Sequence, residues 1–491
     1  MKNIFKHKIS GLIILAVGLF SVSSCKKYLE IPGPANSVTT DAVLTTKTGV
    51  NNFMVGIYAP MSNVSGYALF YLRATGLMSD DWYNPTLGSY LLSEQSCILD
   101  PKDYWAAAGV WPAFYQIIYQ ANTAIEQLPA APASALDTTT KKAYIAAAKT
   151  IRAWAHYLLV RTWGDVPLIL TTDVTANNKT KRTPKADVYA QIVTDLKAAM
   201  ADLPTDPSTL TNAIGDGGPR YINNKFIPEA ILSEVYLDMG KWADAETACT
   251  DIIQNGKYSL AAIGNVFFRS STETIMSIGS NATSSDAYVD AAAWQFFMGP
   301  PYAPSDVTEP SQLSPTLLST FETGDLRLTN WTKNLYGNTW MYKYVYNFFV
   351  IFTPGMVPAG KEQDLIYIRL AEIYLNRAEA RAQLGKVATA SNPNDNTVAA
   401  YDVNQIRTRA GLANTTAATQ TDMLAAILHE RQVELFGEGR RWNDLIRFGK
   451  ADAVLGAIPY KAPNWKTTNK LWPLPASEIN KGTLLTQNPG Y

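Results

Sequence analysis

Two stretches of this chain cannot bury their own apolar surface, and this constrains the fold more than any other feature. Phe226–Ile253 carries Ala230, Tyr236, Leu237, Gly240, Trp242, Ala245, Ala248 and Ile252, small and large residues alternating at helical spacing around a Gly240-Lys241-Trp242 turn. Leu365–Leu384 repeats the plan with Leu370, Ala371, Tyr374, Ala378, Ala382 and Leu384, closed by Gly385-Lys386. The pattern is that of tetratricopeptide-like helix pairs, whose apolar faces stay open to water until neighbours stack on them. The units are far apart in the chain, so either the array is split or something large is inserted into it. Residues 258–360 are that insertion, rich in Gly, Pro, Ser, Thr and aromatics, with its clearest helical pattern at Leu313–Phe321. The fold expected is mainly α: a tetratricopeptide-like helical-pair scaffold with a loop-rich, partly β insertion.

Apolar residues spaced three and four apart predict further helices over Ala42–Pro60, Trp111–Leu128, Thr140–Trp163 and Asp187–Leu203. Pro112 suits the first turn of its helix, and Gly164 with Pro167 stops the third. The aromatic run after Pro60, through Asp80-Asp81-Trp82-Tyr83-Asn84, has little helical order. In the insertion, Tyr336-Gly337-Asn338-Thr339 has turn chemistry between two alternating runs and predicts a β-hairpin. Period-two geometry then puts Trp340, Tyr342 and Tyr344 on one face, a core wall or a stacking platform. In Leu428–Lys450, Gly437 and Gly439 interrupt an apolar stripe, so two helices should meet at a corner. Glu430, Arg431, Glu434, Glu438, Arg440, Arg441, Asp444 and Arg447 are dense enough there to clasp those helices together.

At 491 residues, 47% hydrophobic and 17% charged, the chain is globular and large enough for an ample core. Without the three lysines of its first eight residues, 39 basic residues face 42 acidic ones, a balance that disfavours nucleic acid as a partner. Three cysteines, Cys25, Cys97 and Cys249, exclude a disulfide framework; whether Cys97 and Cys249 pair stays open. Catalytic means are thin. Beyond the leader only His156 and His429 remain, His156 reading as a structural residue, and no HExxH, GxSxG, P-loop, CxxC or EF-hand pattern occurs. Asp80-Asp81 is the best carboxylate pair, but glycosidase acids face each other across a sugar at roughly 5–10 Å, which adjacent loop residues rarely do. Neither an enzyme nor a cofactor is expected; a calcium ion on scattered aspartates stays open.

Binding fits better. Sugar C–H faces rest on aromatic rings, and sugar hydroxyls need planar polar partners. Trp82, Tyr83 and Asn84 with Asp80 and Asp81 supply that mix in one loop, and Trp294, Tyr302, Trp331, Trp340 and Tyr342 would extend it into a shallow shelf.

The amino terminus is an address. Lys2, Lys6 and Lys8 precede an apolar run from Ile9 to Phe20, too short to span a bilayer, which needs about 20 apolar residues. It ends in Val22-Ser23-Ser24-Cys25, similar to a bacterial lipobox, which implies cleavage before Cys25 and its acylation. Residues 1–24 then form a signal peptide and 25–40 a lipidated cysteine and tether. Beyond these, 41–257 and 361–491 make two scaffold parts, with a ligand-facing loop near 65–105 in the first and a wrapping tail in the second.

ERQVELFGEGRRWNDLIRFGK, the terminal LWPLPASEINKGTLLTQNPGY and the internal RAWAHYLLVRTWGDVPLIL together resemble the SusD/RagB family of Bacteroidetes outer-membrane lipoproteins. The resemblance implies a lipid-anchored protein on the outer face of the outer membrane that captures an oligosaccharide. It also implies a partner, a TonB-dependent, SusC-like outer-membrane transporter that receives the ligand. The rival reading from another class is a helical-repeat scaffold that binds a peptide or protein in its groove.

Overall fold

The computed structural model of the protein describes residues 40–62, 70–86, 89–103, 107–206, 224–278, 311–345, 360–388, 395–481 and 484–491. Residues 1–43 are a unit by themselves, in which the described part is the short helix Thr40–Val43; the leader and Cys25 lie outside the described residues. Leu44–Tyr491 form the second unit.

The single helix expected over 42–60 is broken, and α1 runs Lys47–Ser62. The Thr46 hydroxyl accepts from Gly49 N at 3.1 Å, the kind of side-chain bond that starts a new helix rather than continuing an old one. Leu72–Met78 (α2) is helical where no helical period was visible, because every residue of it is buried and it therefore has no polar stripe. Ala107–Gln127 (α3) begins earlier than expected and holds Pro112 inside. Thr138–Trp163 (α4) is capped by Asp137, which accepts from Thr140 N at 2.9 Å, and ends at Gly164. It packs between α3 and Lys185–Asp202 (α5). Phe226–Asp238 (α6) and Trp242–Gln254 (α7) form the expected pair, turning at Gly240 with φ +68°.

The insertion has a two-stranded neck. Thr274–Ile278 (β1) leaves the scaffold, and Leu365–Arg369 (β4) returns antiparallel to it, pairing Ile278 with Leu365 and Thr274 with Arg369. Between them, Thr332–Leu335 (β2) and Asn338–Met341 (β3) form the expected hairpin, with Tyr336-Gly337 alone as the loop. The helical pattern at Leu313–Phe321 shortens to Pro315–Leu318.

Directly after β4, Leu370–Gln383 (α8) resumes the array. It packs on α6 and α7 although the whole insertion intervenes, and on Ala399–Arg409 (α9) and Gln420–Leu435 (α10). Small residues allow the close approach: Ala378 and Ala382 of α8 share an apolar cluster with Ala399, Val403, Met423 and Ile427. Arg441–Arg447 (α11) follows the corner, where Gly437 and Gly439 take φ of +74° and +73°.

Several distant segments of Leu44–Tyr491 meet at that corner. Glu434 accepts from Arg327 of the insertion at 3.1 Å, from Arg369 of β4 at 2.5 Å and from Arg409 of α9. Lys343 reaches Glu438 at 2.7 Å inside a box of Phe436, Trp331 and Phe267, its ammonium 4.0, 4.8 and 5.2 Å from the ring centres. Arg441 binds Asp80 bidentately at 2.6 and 2.8 Å, bringing the residue 80–84 loop to the same place. Except for the partly buried Arg447, the charges read as a clasp are buried, and Glu434 and Arg441 hold different partners within it.

Candidate ligand-binding face

From α2 the chain enters Asp80–Asn84, and backbone bonds lay this segment against the insertion. Trp82 bridges Leu313, Gln312 bridges Trp340, and Tyr83 N donates to Gln312 O at 3.1 Å. The two regions from which a shelf was expected are thus one continuous ladder: the 82–84 segment, the 311–314 segment and β3.

The side chains of that ladder correct the residue expectations. Trp82 is 0% exposed. Its indole lies on α2 where Gly76 leaves space, since a Cβ there would stand 2.6 Å from the ring, and it touches the corner at Gly437. Trp340 is 0% exposed as well and donates Nε1 to Leu335 O at 3.0 Å. Trp331 is buried, donates to Ile263 O at 2.9 Å, and spends its face on Lys343 and Arg369. None of the three indoles offers a face to solvent. Trp82 pairs with Leu313 and Trp340 with Gln312, so the two indoles lie on opposite faces of the ladder and each is covered on its own face, while Trp331 ends the short helix Leu326–Trp331.

Asp80 is buried on Arg441 and also accepts from Gln432 at 3.1 Å. Asp81 is buried, accepting from Gly437 N at 3.3 Å through one oxygen; the other has no hydrogen-bond partner among the described residues. Burial, with Asp80 beside it, pushes the Asp81 carboxyl up to about 8, while Arg441 pulls the other way. Asn84 is buried too, its Oδ1 accepting from Thr86 N and Oγ1 at 2.9 and 2.7 Å. Tyr83 and Tyr342 are half-buried. Tyr83 stacks on Tyr460 with centroids 4.3 Å apart, and Lys333 sits over Tyr342 at 4.7 Å. Trp294 and Tyr302 lie outside the described residues. His156 is structural: Nδ1 meets Arg152 O at 3.0 Å, Nε2 meets Ile169 N at 3.3 Å, and burial drops it to about 3. Cys97 and Cys249 are free and buried.

The two faces of the ladder also carry polar residues that the sequence reading passed over. Gln312 Nε2 donates to Asn338 Oδ1 at 3.3 Å, and Thr339 Oγ1 donates to Asn334 Oδ1 at 2.7 Å. Gln312 and Asn338 form with Tyr83 and its stacking partner Tyr460 a polar surface edged by rings on one face of the ladder, and Asn334 and Thr339 lie on the other face. Tyr83 and Thr339 each adjoin a buried Trp in the sequence, and Gln312, Asn334 and Asn338 carry no such signal. Such a surface offers planar donors and acceptors beside aromatic faces, the chemistry that hydroxyl-rich ligands require.

A split tetratricopeptide-like array with this ladder on its insertion defines a helical scaffold protein that presents a compact polar–aromatic surface. Two family models match successive parts of the chain: one described as starch-binding and associating with the outer membrane over residues 27–214, the other as the SusD family over residues 319–491. The chain belongs to the SusD/RagB family. It is 26% identical to SusD-like protein P38 of Formosa agariphila over 100% of both chains. It is 33% identical to the starch-binding protein SusD of Bacteroides thetaiotaomicron over 26% of this chain and 22% of that one. Among solved structures, a laminarin-binding SusD-like protein aligns at TM-score 0.73 with 24% identity, covering 91% of this chain and 100% of its own. A SusD superfamily protein from Bacteroides vulgatus aligns at TM-score 0.75 with 20% identity over 91% and 100%. These two likenesses speak for the fold.

Proposed function

We propose that this protein is a lipid-anchored, non-catalytic binding protein of the outer membrane that captures an oligosaccharide at the ladder surface and passes it to a TonB-dependent transporter. The observation that carries the reading is the run of Tyr83, Gln312 and Asn338 along one face of the ladder, with Tyr83 stacked on Tyr460. The ligand class draws support from relatives whose names specify starch and laminarin, and the location from the family description. Tyr342, Trp294 and Tyr302 remain part of the proposal as flanking rings. The reading of binding without turnover draws support from the carboxylates, since Asp80 is committed to Arg441 and Asp81 is buried against the corner. The anchor is Cys25, at the end of the lipobox-like segment.

The test is a broad glycan array, followed by calorimetry with the best oligosaccharide and mass analysis of the recovered sugar. Binding with the sugar returned intact is expected. Release of shorter sugars would make the protein a hydrolase, and silence across the array would favour the protein-scaffold reading.

A further inference from the structure

We propose that Asp81 is a positioning residue of the ligand face: its carboxyl, seated against the glycine corner without a cation of its own, keeps the segment that carries Tyr83 in register. The role deepens the glycan-capture reading above and rests on it.

Asp80 and Asp81 are both 1% exposed, yet their surroundings are unequal. Asp80 takes the Arg441 guanidinium bidentately at 2.6 and 2.8 Å, and the Gln432 amide at 3.1 Å. Asp81 accepts from the backbone N–H of Gly437 at 3.3 Å, and its other oxygen has no hydrogen-bond partner among the described residues. The charged groups that face it are Asp80 beside it, Arg441 from α11 and Lys343 from the stretch after β3. Arg441 is committed to Asp80, and Glu438 holds Lys343 at 2.7 Å. A carboxylate in this seat lies beside a like charge with no paired cation, so the seat suits the neutral acid. Burial, and after it Asp80, accordingly push the Asp81 carboxyl up to about 8.

The ladder starts from this seat. Ser314 N donates to Asp81 O at 2.9 Å, and Tyr83 N donates to Gln312 O at 3.1 Å, the backbone bonds on either side of the Trp82–Leu313 bridge. Tyr83, whose ring stacks on Tyr460 at 4.3 Å, is thus placed by a backbone whose register is pinned two residues earlier. An ionised Asp81 gains by moving toward water, and a shift of its backbone strains the Tyr83 bond to Gln312. Ligand capture should therefore weaken as pH rises through about 8, where the folded carboxyl loses its proton.

The test is calorimetry with the array-selected oligosaccharide at pH 7 and pH 9. If capture needs the neutral acid, the competent fraction, and with it the wild-type affinity, should fall about tenfold between the two. Lys343 titrates in the same range, since burial brings it down to about 8 against the pull of Glu438. Asp81→Asn separates the two groups: the amide cannot ionise, so its affinity, whatever its level, should hold steady from pH 7 to 9. The same fall in Asp81→Asn would assign the pH dependence to Lys343 and overturn the inference, as would a wild-type affinity that stays constant. A merely structural acid would lower the melting temperature and leave the affinity of the folded protein unmoved. Hydrogen exchange over residues 79–86, corrected for the intrinsic effect of pH, reads the positioning without a ligand. The Tyr83 amide should lose protection between pH 7 and 9 in the wild type and keep it in Asp81→Asn, and unchanged protection in the wild type would overturn the role even where glycan binds. If no glycan binds at either pH, the functional reading falls, and the exchange rates still decide whether Asp81 positions Tyr83.

Discussion

At Glu434 three guanidiniums converge on one carboxylate with no side-chain exposure. Burial alone would raise its pKa, but Arg409, Arg369 and Arg327 more than offset that and hold it well below the usual carboxylate range. Removing one partner of such a group leaves uncompensated buried charge, so Glu434→Ala should cost about 3–5 kcal/mol in a denaturant titration. Lys481→Ala, which breaks an exposed pair with Glu478, should cost less than about 1 kcal/mol. Asp81 works in the opposite sense. Its folded pKa of about 8 lies above the ordinary 3.8, so its stabilising proton is fully in place below that value and is lost as pH rises through 8. Unfolding free energies measured from about pH 5 to 9 should decline less for Asp81→Asn than for the wild type. The amide replaces the protonated acid without a charge to desolvate. The buried indoles make a third case. Trp82→Ala should lose about 3–5 kcal/mol of stability, as a large cavity does, rather than fold normally and merely bind less.

The element that joins all others is the corner between α10 and α11. Its two glycines were legible in the sequence because they interrupt an apolar stripe, but what each one does depends on its neighbours. A Cβ at Gly437 would run into the Met341 sulfur and press on Trp82, and its φ of +74° would strain any other residue. Gly449 has a similar φ of +66° but nothing within 4 Å of such a Cβ. Gly437→Ala should therefore lower the thermal midpoint clearly more than Gly449→Ala, which bears only the left-handed strain of about 1–2 kcal/mol. Equal shifts would mean that the corner tolerates the extra methyl by moving Met341. Helix α7 was readable because one face is polar and the other buried, so the period of 3.6 survives in its residues, whereas α6, buried from Phe226 to Leu237, was readable from its small and large residues and the Gly240 turn beside α7. Helix α2 was not, because burial on all sides erases the stripe that reveals a helix.

For the whole molecule, the neck of β1 and β4 lets a scaffold carry an insertion without losing its own continuity. Helix α8 packs on α7 across that gap, so the array folds around the inserted chain. In the proposed function the array is the support and the ladder is the working surface, with the amino-terminal lipid as tether. Cys25→Ser should move the protein from the membrane fraction into the soluble fraction, and unchanged membrane retention would remove Cys25 as the anchor. One lipid chain holds only marginally, so the loss should be nearly complete if the full set of acyl chains depends on this thiol.

The sequence by itself determined the helical class, the split array, the hairpin, the glycine corner and the charge density that clasps it. All of these are local or periodic, and a period is written in the residues that obey it. It also identified the two segments that form the ladder. Only the tertiary structure decided which residues of that ladder face water. Alternation says that Trp82 and Tyr83, or Trp340 and Thr339, lie on opposite sides, and it cannot say which side is the core until a partner covers one of them. For Trp82 the cover is the helix at Gly76 and the corner at Gly437, and Trp340 is buried on the opposite face, so each face is covered at its indole while Tyr83 and Gln312 keep part of their surface. Ion partners were undetermined for the same reason. Asp80 and Arg441 lie at opposite ends of the chain, and their 2.6 Å contact exists only because the fold brings both ends to one corner.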